Sequence, residues 1–268
     1  MTQPRQLGLL LKHWRRLRAK SQLALALDAG VSARHLSFVE SGRSSPSREF
    51  LLILADALDV PMRERNLLLA AGGFAPMYPE TALTAAELTQ LRAALTRLLE
   101  HQEPYPAVVL DRQWNVVQTN RAAPRLFGHF IDLESLPQPR NLLHTMFNPA
   151  GLRPWVANWD VVAHGLVQRV FREAVGGIPD DRTMALLQDL EAYPSPPAAS
   201  LTANRALPVH PVVFKKGNLE LSFFSMIFSV GVPLDITAQE LRIEAFFPTN
   251  DVTEAFAQEN LRSAENGG

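Results

Sequence analysis

At 268 residues, 47% hydrophobic and 20% charged, the chain has the composition of a globular protein with room for two domains rather than one. Its formal charge of −1 conceals a split, since residues 1–75 hold 11 Lys/Arg against 6 Asp/Glu, about +5, and the remainder carries about −6. With no cysteine, the chain has no disulfide, thiolate metal site, iron–sulfur cluster, cysteine nucleophile or cysteinyl flavin adduct. No signal peptide is visible, and the apolar run 223–232 is too short to cross a bilayer, so the expectation is a cytoplasmic protein without membrane contact.

Leu7, Leu10, Leu11, Trp14 and Leu17 recur at helical spacing, with Lys12, Arg15, Arg16 and Arg18 outside, which predicts an amphipathic basic helix. Arg15 is a candidate phosphate contact. Residues 21–46 then read as two short helices and a turn. Ala26 is small where two helices would cross, and Gly30 supplies a left-handed turn. Ser32 can cap the second helix, while Leu36 and Val39 share its inner face. Ala33, Arg34, Ser37 and Phe38 are left for the opposite face, and the loop after Glu40 brings Arg43, Ser44 and small residues whose amides can reach phosphate. Further helices are predicted after Ser47, a possible cap, and around Pro61, ending at Gly72-Gly73. This gives an all-α five-helix domain over residues 1–75 that resembles the XRE, or lambda-repressor-like, helix-turn-helix class. In that class Gln22 would touch the DNA backbone, and the outward face of Ser32–Phe38 would enter the major groove. A helical hairpin in an ordinary bundle is the alternative.

Residues 76–103 read as a linker and connecting helix. Thr84-x-x-Glu87 has the form of a capping box, and Leu88, Leu91, Leu95 and Leu98 form a stripe that either packs on its own domain or meets a second copy. From residue 104 the periodicity changes. The pattern predicts strands over 107–110 and 114–119, a helix over 121–127 capped by Asn120, and a short helix over 141–147. Long helices follow over 155–175 and 181–192, then a proline-rich loop over 194–211. The remaining strands fall at 209–214, 219–230 and 240–247, with a bulge near Phe224 where the alternation slips phase. Residues 254–268 read as a polar tail that frays. The opening order of strand, turn, strand and capped helix resembles a PAS-type sensor domain, an α+β fold with a curved antiparallel sheet.

Several separate motifs occur in order: Ser32-Ala-Arg-His-Leu-Ser, Gly42-Arg-Ser-Ser-Pro-Ser, Arg63-Glu-Arg-Asn, Leu68-Leu-Ala-Ala-Gly, Glu103-Pro-Tyr-Pro-Ala-Val-Val-Leu-Asp-Arg, Asn120-Arg-Ala-Ala, Pro149-Ala-Gly-Leu-Arg-Pro, Asn158-Trp and Glu240-Leu-Arg-Ile-Glu-Ala-Phe-Phe-Pro. Together they are similar to the MmyB-like transcriptional regulators from about Leu7 to Thr253. Leu23-Ala24, where an acidic residue is frequent, and Phe74, in place of a tyrosine, depart from the pattern. The resemblance implies a multidomain regulator with an XRE-type reader, a PAS-like domain over 104–253 and a small hydrophobic ligand of the fatty-acid kind, and no other cofactor. Double-stranded DNA and a second copy of the chain are the expected partners.

Large apolar side chains at Trp114, Phe127, Phe147, Trp155, Trp159, Val162, Phe223 and Phe228 are candidates either for plain core or for lining such a ligand's pocket. Arg153 and Arg242 are candidates to hold its carboxylate. No catalytic constellation can be assembled. The histidines have no metal-ligand spacing, and no P-loop, HExxH or Gly-x-Ser-x-Gly pattern occurs. His164 is the best candidate haem ligand, against the blander reading of a helix-face histidine.

Overall fold

The computed structural model describes residues 3–175, 181–191 and 209–262. These fall into two compact units. The first is Met1–Thr81 with Pro233–Gln239 and the described part of Glu173–Ile178; the second holds the described residues of Ala82–Arg172, Pro179–Val232 and Glu240–Gly268.

The first unit opens with five helices: α1 (Gln3–Leu17), α2 (Gln22–Asp28), α3 (Ala33–Glu40), α4 (Arg48–Ala57) and α5 (Met62–Ala71). Serine caps start three of them. Ser21 Oγ accepts from the Ala24 amide, Ser32 Oγ from His35 and Ser47 Oγ from Phe50, satisfying amides that the first helical turn leaves without partners. Gly30 turns the chain between α2 and α3 at φ +63°, a conformation that costs glycine little. Leu7, Leu11, Trp14, Leu25, Leu36, Val39, Leu51, Leu54 and Leu58 meet in one buried cluster. Each buried side chain of this size contributes about 1.5–3 kcal/mol.

Helices α1 and α3 approach backbone to backbone. A Cβ on Gly8 would lie 2.3 Å from the carbonyl oxygen of Glu40, so residue 8 of α1 has no room for a side chain.

Beyond α5 the chain is held rather than loose. The Asn66 side chain donates to the Tyr78 carbonyl and accepts from the Met77 and Tyr78 amides. Arg63 is paired with Glu80, and Arg65 with Asp56. The short helix α11 (Ile236–Glu240) lies in the connection between the last two strands, and Pro233–Gln239 of that connection belongs to this first unit.

The second unit is built on a five-stranded antiparallel sheet of β1 (Ala107–Leu110), β2 (Val116–Thr119), β3 (Val212–Lys216), β4 (Leu219–Phe228) and β5 (Arg242–Pro248). Its order is β2-β1-β5-β4-β3, a PAS-like α+β arrangement. Helix α6 (Thr89–His101) covers one face, where Leu95 and Leu99 pack with Ala107, Val109, Ile243 and Ala245. Thus the leucine stripe packs on its own domain. The other face is met by α7 (Ala122–Gly128), through Phe127 against Phe246, and by α9 (Trp159–Val175), through Arg169 against Glu244, with α8 (Leu142–Phe147) packed on the start of α9 through Phe147 and Trp159. Val108 lies opposite Glu244 and Leu110 opposite Arg242, so these four share that face by alternation. Helix α10 (Asp181–Glu191) follows α9, and α12 (Asp251–Phe256) closes the unit.

Several expectations change. Thr84 caps nothing; a short 3₁₀ turn at Ala86–Leu88 precedes α6, which begins at Thr89 without a side-chain cap. Trp114 is not in a strand but turns the chain at φ +67°, and β2 starts at Val116. The long helix starts at Trp159, because Val156 bridges Phe214 in extended form and Asn158 binds the β3 backbone through Pro211 and Val213. β4 pairs with β5 without a break from Phe223 to Phe228, so no bulge restores the phase that slips near Phe224. The polar tail is helical through Leu261, with Ala257 and Leu261 fully buried. The proline-rich loop lies outside the described residues except at 209–211.

Gly8→Ala is expected to destabilise the N-terminal unit by about 1–3 kcal/mol through overpacking against the α3 backbone, read as a lower denaturation midpoint in urea.

Candidate functional site

Helix α3 presents two faces. Leu36, Val39 and Glu40 point inward, and Ala33 is partly packed on the same core. Arg34 and Ser41 are exposed, while Ser37 and Phe38 are half-buried. The Arg34 guanidinium lies 5.4 Å from the centre of the Phe38 ring, one turn along the helix, an attraction between cation and ring quadrupole that holds the arginine over the outer surface. His35 turns the other way and meets the Phe50 ring edge-on at 4.6 Å. At the end of α3 the Arg43 amide donates to the Phe38 carbonyl (2.8 Å) and the Gly42 amide to Val39, a Schellman-type closure. It fixes the backbone that carries exposed Arg43 and half-buried Ser44.

Arg15 has partners within the fold. Its Nε and Nη2 donate to both oxygens of Glu40 (2.7 and 2.9 Å), and Nη1 donates to the Lys20 carbonyl. The Gln22 amide group donates to the same carboxylate at 2.7 Å. Glu40 is buried, with its side chain 0% exposed. The hydrogen bonds to the Glu40 carboxylate, together with its charge, raise the Arg15 guanidinium above its ordinary pKa. A buried carboxylate needs this compensation, so Arg15 and Gln22 tie α1 and α2 to the end of α3. Among the described residues Arg34, Arg43 and Arg48 carry no ion pair, and they supply cationic groups on and after the recognition helix.

In the second unit the predicted apolar residues fall into separate groups. Phe127 meets Phe214 and Phe246 edge-on at 6.3 and 6.2 Å, and Phe130 joins them, 5.3 Å from Phe214 and 6.4 Å from Trp155. Phe147 meets Trp159 at 4.9 Å, with the Arg153 guanidinium 5.6 Å from the Trp159 ring centre. Trp114 is buried with two guanidinium groups over its ring, Arg169 at 4.3 Å and Arg242 at 4.7 Å. Arg169 also pairs with buried Glu244 at 3.1 Å, and Arg242 donates to the carbonyls of Asp111 and Arg112. Val162 and Phe223 are buried. Phe228 is not brought together with Phe223: five positions apart on an unbroken strand, it faces the α6 side and is exposed.

Arg169, Glu244, Phe130, Phe214 and Phe246 were not singled out by sequence reasoning. The alternation Arg242, Glu244, Phe246 in β5 is the signal that would have found two of them. A separate groove of about 460 Å³ runs along α6 and β2, lined by Glu100, Glu103, Gln118, Arg121 and Arg262 among others, and it contains none of the predicted ligand residues. His164 is half-buried on α9. Among the described residues, no cluster of three His, Asp or Glu has metal-binding geometry, and no helix is long and apolar enough to cross a membrane.

A capped helix pair with a cationic outer face, followed by a PAS-like domain with an aromatic interior, defines a DNA-binding regulator with a ligand-binding domain. The comparisons agree. A family model described as the MmyB-like transcription regulator ligand binding domain matches residues 91–259, and a helix-turn-helix model matches residues 11–65. The chain belongs to the MmyB-like transcription regulators. Comparison with curated proteins gave no match. A solved structure described as that of an RNA-binding light-oxygen-voltage receptor is 14% identical, over 92% of this chain and 62% of its own, with a TM-score of 0.27. The chain therefore spans less than two thirds of that receptor, and the likeness is too weak to bear on fold or function.

Two outcomes separate structure from DNA contact on the reader. Glu40→Ala, which strands the Arg15 guanidinium, should cost about 3 kcal/mol of stability, measured by chemical denaturation. Arg43→Ala should leave stability unchanged and reduce the salt dependence of DNA affinity by about one unit of slope.

Proposed function

We propose that this chain is a cytoplasmic, sequence-specific transcription regulator that binds DNA as a homodimer and responds to a small hydrophobic molecule of the fatty-acid class. The observation that carries the DNA reading is the outer face of α3, where Arg34 is exposed and lies over the Phe38 ring. Arginine in that position donates two hydrogen bonds to the edge of a guanine. Ser32, Ser37 and Phe38 complete the face, with half-buried Ala33 at its edge. Arg43 and Ser44 follow the backbone. A dimer would set two such helices about 34 Å apart, the spacing of successive major grooves.

For the ligand, support comes from the helix-covered face of the sheet. Trp114, Phe127, Phe147, Trp155, Trp159, Val162 and Phe223 lie there or on the elements beside it and offer apolar area, each acyl methylene contributing about 0.8 kcal/mol on burial. Arg153, half-buried over Trp159, is the better placed of the two candidate carboxylate anchors, since Arg242 already holds the turn at residues 111–112. Ligand and DNA binding are linked through the arrangement of the two copies, so a ligand that favours one arrangement changes DNA affinity by its differential affinity for the two.

Arg34→Ala should relax sequence preference and cost about 1–3 kcal/mol on the preferred duplex; equal weakening on all duplexes would remove the base-reading role. Native mass spectrometry of the purified chain, followed by denaturing extraction, should release an acyl species. Protein that carries none and does not bind added palmitate would sink the fatty-acid reading.

A further inference from the structure

We infer that the connection from β4 to β5 is a detachable cap on the DNA reader, with Gln239 and Asp235 as its positioning residues; this rests on the regulator reading above and assigns the route by which that regulation acts. Helix α5 begins after Pro61, which offers no side-chain cap. Its first amide, Met62 N, instead donates to Gln239 Oε1 at 2.8 Å, from 177 positions further along the chain. Asp235 holds the same place from a second side. One of its oxygens accepts from the Thr237 and Ala238 amides and so starts α11, and the other accepts from the Thr81 amide at 3.1 Å. The Ile236 amide donates to the Pro79 carbonyl at 2.9 Å.

A cap supplied by a distant segment differs from Ser21, Ser32 or Ser47, which cannot leave the helices they start. Gln239 is three positions before Arg242, the first residue of β5, and five before Glu244, which pairs with Arg169 on the face that holds the aromatic interior. Any displacement of β5 along its length is transmitted through this short piece of chain to the Met62 amide. From there the contacts run on through the reader. Arg65 of α5 is paired with Asp56 of α4, and Phe50 of α4 meets His35 of α3. Engaged, the connection holds α5 and the 77–81 segment in the DNA-binding arrangement. Released, it leaves a helix start and an extended segment with amides unsatisfied.

The test uses the full chain and a duplex selected from a random pool by the unaltered protein. Gln239→Ala should raise hydrogen exchange at amides 62–66 and weaken binding to that duplex about fivefold, the size of a lost helix cap. Gln239→Glu, which keeps an acceptor oxygen, should restore both. Leu234→Ala, at an exposed position of the same connection, should change neither. If Gln239→Ala does not fold, Asp235→Ala carries the same expectation on exchange and affinity. Affinity unchanged in the alanine variant, whether or not exchange rises, overturns the inference, and so does a loss that Gln239→Glu leaves in place. Added palmitate should alter protection at 62–66 in the unaltered chain. If palmitate does not bind, the fatty-acid reading fails while the substitution series still decides the cap; if it binds and protection at 62–66 is unmoved, the cap is not the route and the inference falls.

Discussion

One buried carboxylate sets the geometry of the reader. Glu40 ends the recognition helix inside the fold, where an uncompensated charge would cost several kcal/mol; Arg15 from α1 neutralises it and Gln22 from α2 donates a further hydrogen bond. The same residue's carbonyl lies against Gly8, so side chain and backbone of a single position locate α3 against two other helices. The outer face of α3 is therefore presented by a frame with little freedom to rotate. Arg34 and Phe38 are adaptable only at their tips. Several cations of the first unit are internal fasteners of this frame, while Arg34, Arg43 and Arg48, on and after α3, are exposed.

Much of the reader was legible in the sequence because its determinants are local. Serine caps, the turn glycine and leucines at helical spacing each act within four residues, and the five helices follow from them. The fastening role of Arg15 and Gln22 was hidden for the complementary reason. A basic residue on an outer helical face looks the same in sequence whether it meets phosphate or a carboxylate 25 positions away, and only the tertiary fold brings Glu40 to it.

In the second domain the strands were legible by alternation and the long helices by their period, but partnerships across the sheet were not. The register that places Glu244 opposite Val108 decides which side chains share a face, and no local pattern encodes it. The expected bulge in β4 is an instance. Leu221 and Phe223 lie alongside β3, while Met226 and Phe228 lie past its end and are exposed on the other side. The change in where hydrophobic residues fall reflects a change in what covers each face, with the strand itself regular. Likewise the helix after Thr253 was hidden because its buried residues, Ala257 and Leu261, are few among polar neighbours.

The first unit is discontinuous in sequence. Residues matched to the ligand-binding family include 233–239, yet those residues complete the fold of the DNA reader. Modularity by recombination is correspondingly restricted. A gene fusion that joins residues 1–81 to a different sensor would inherit a helix whose start is closed by an atom it no longer encodes, and the new sensor would have to supply an equivalent acceptor. The boundary drawn by sequence families and the boundary across which this protein can be exchanged are two different lines.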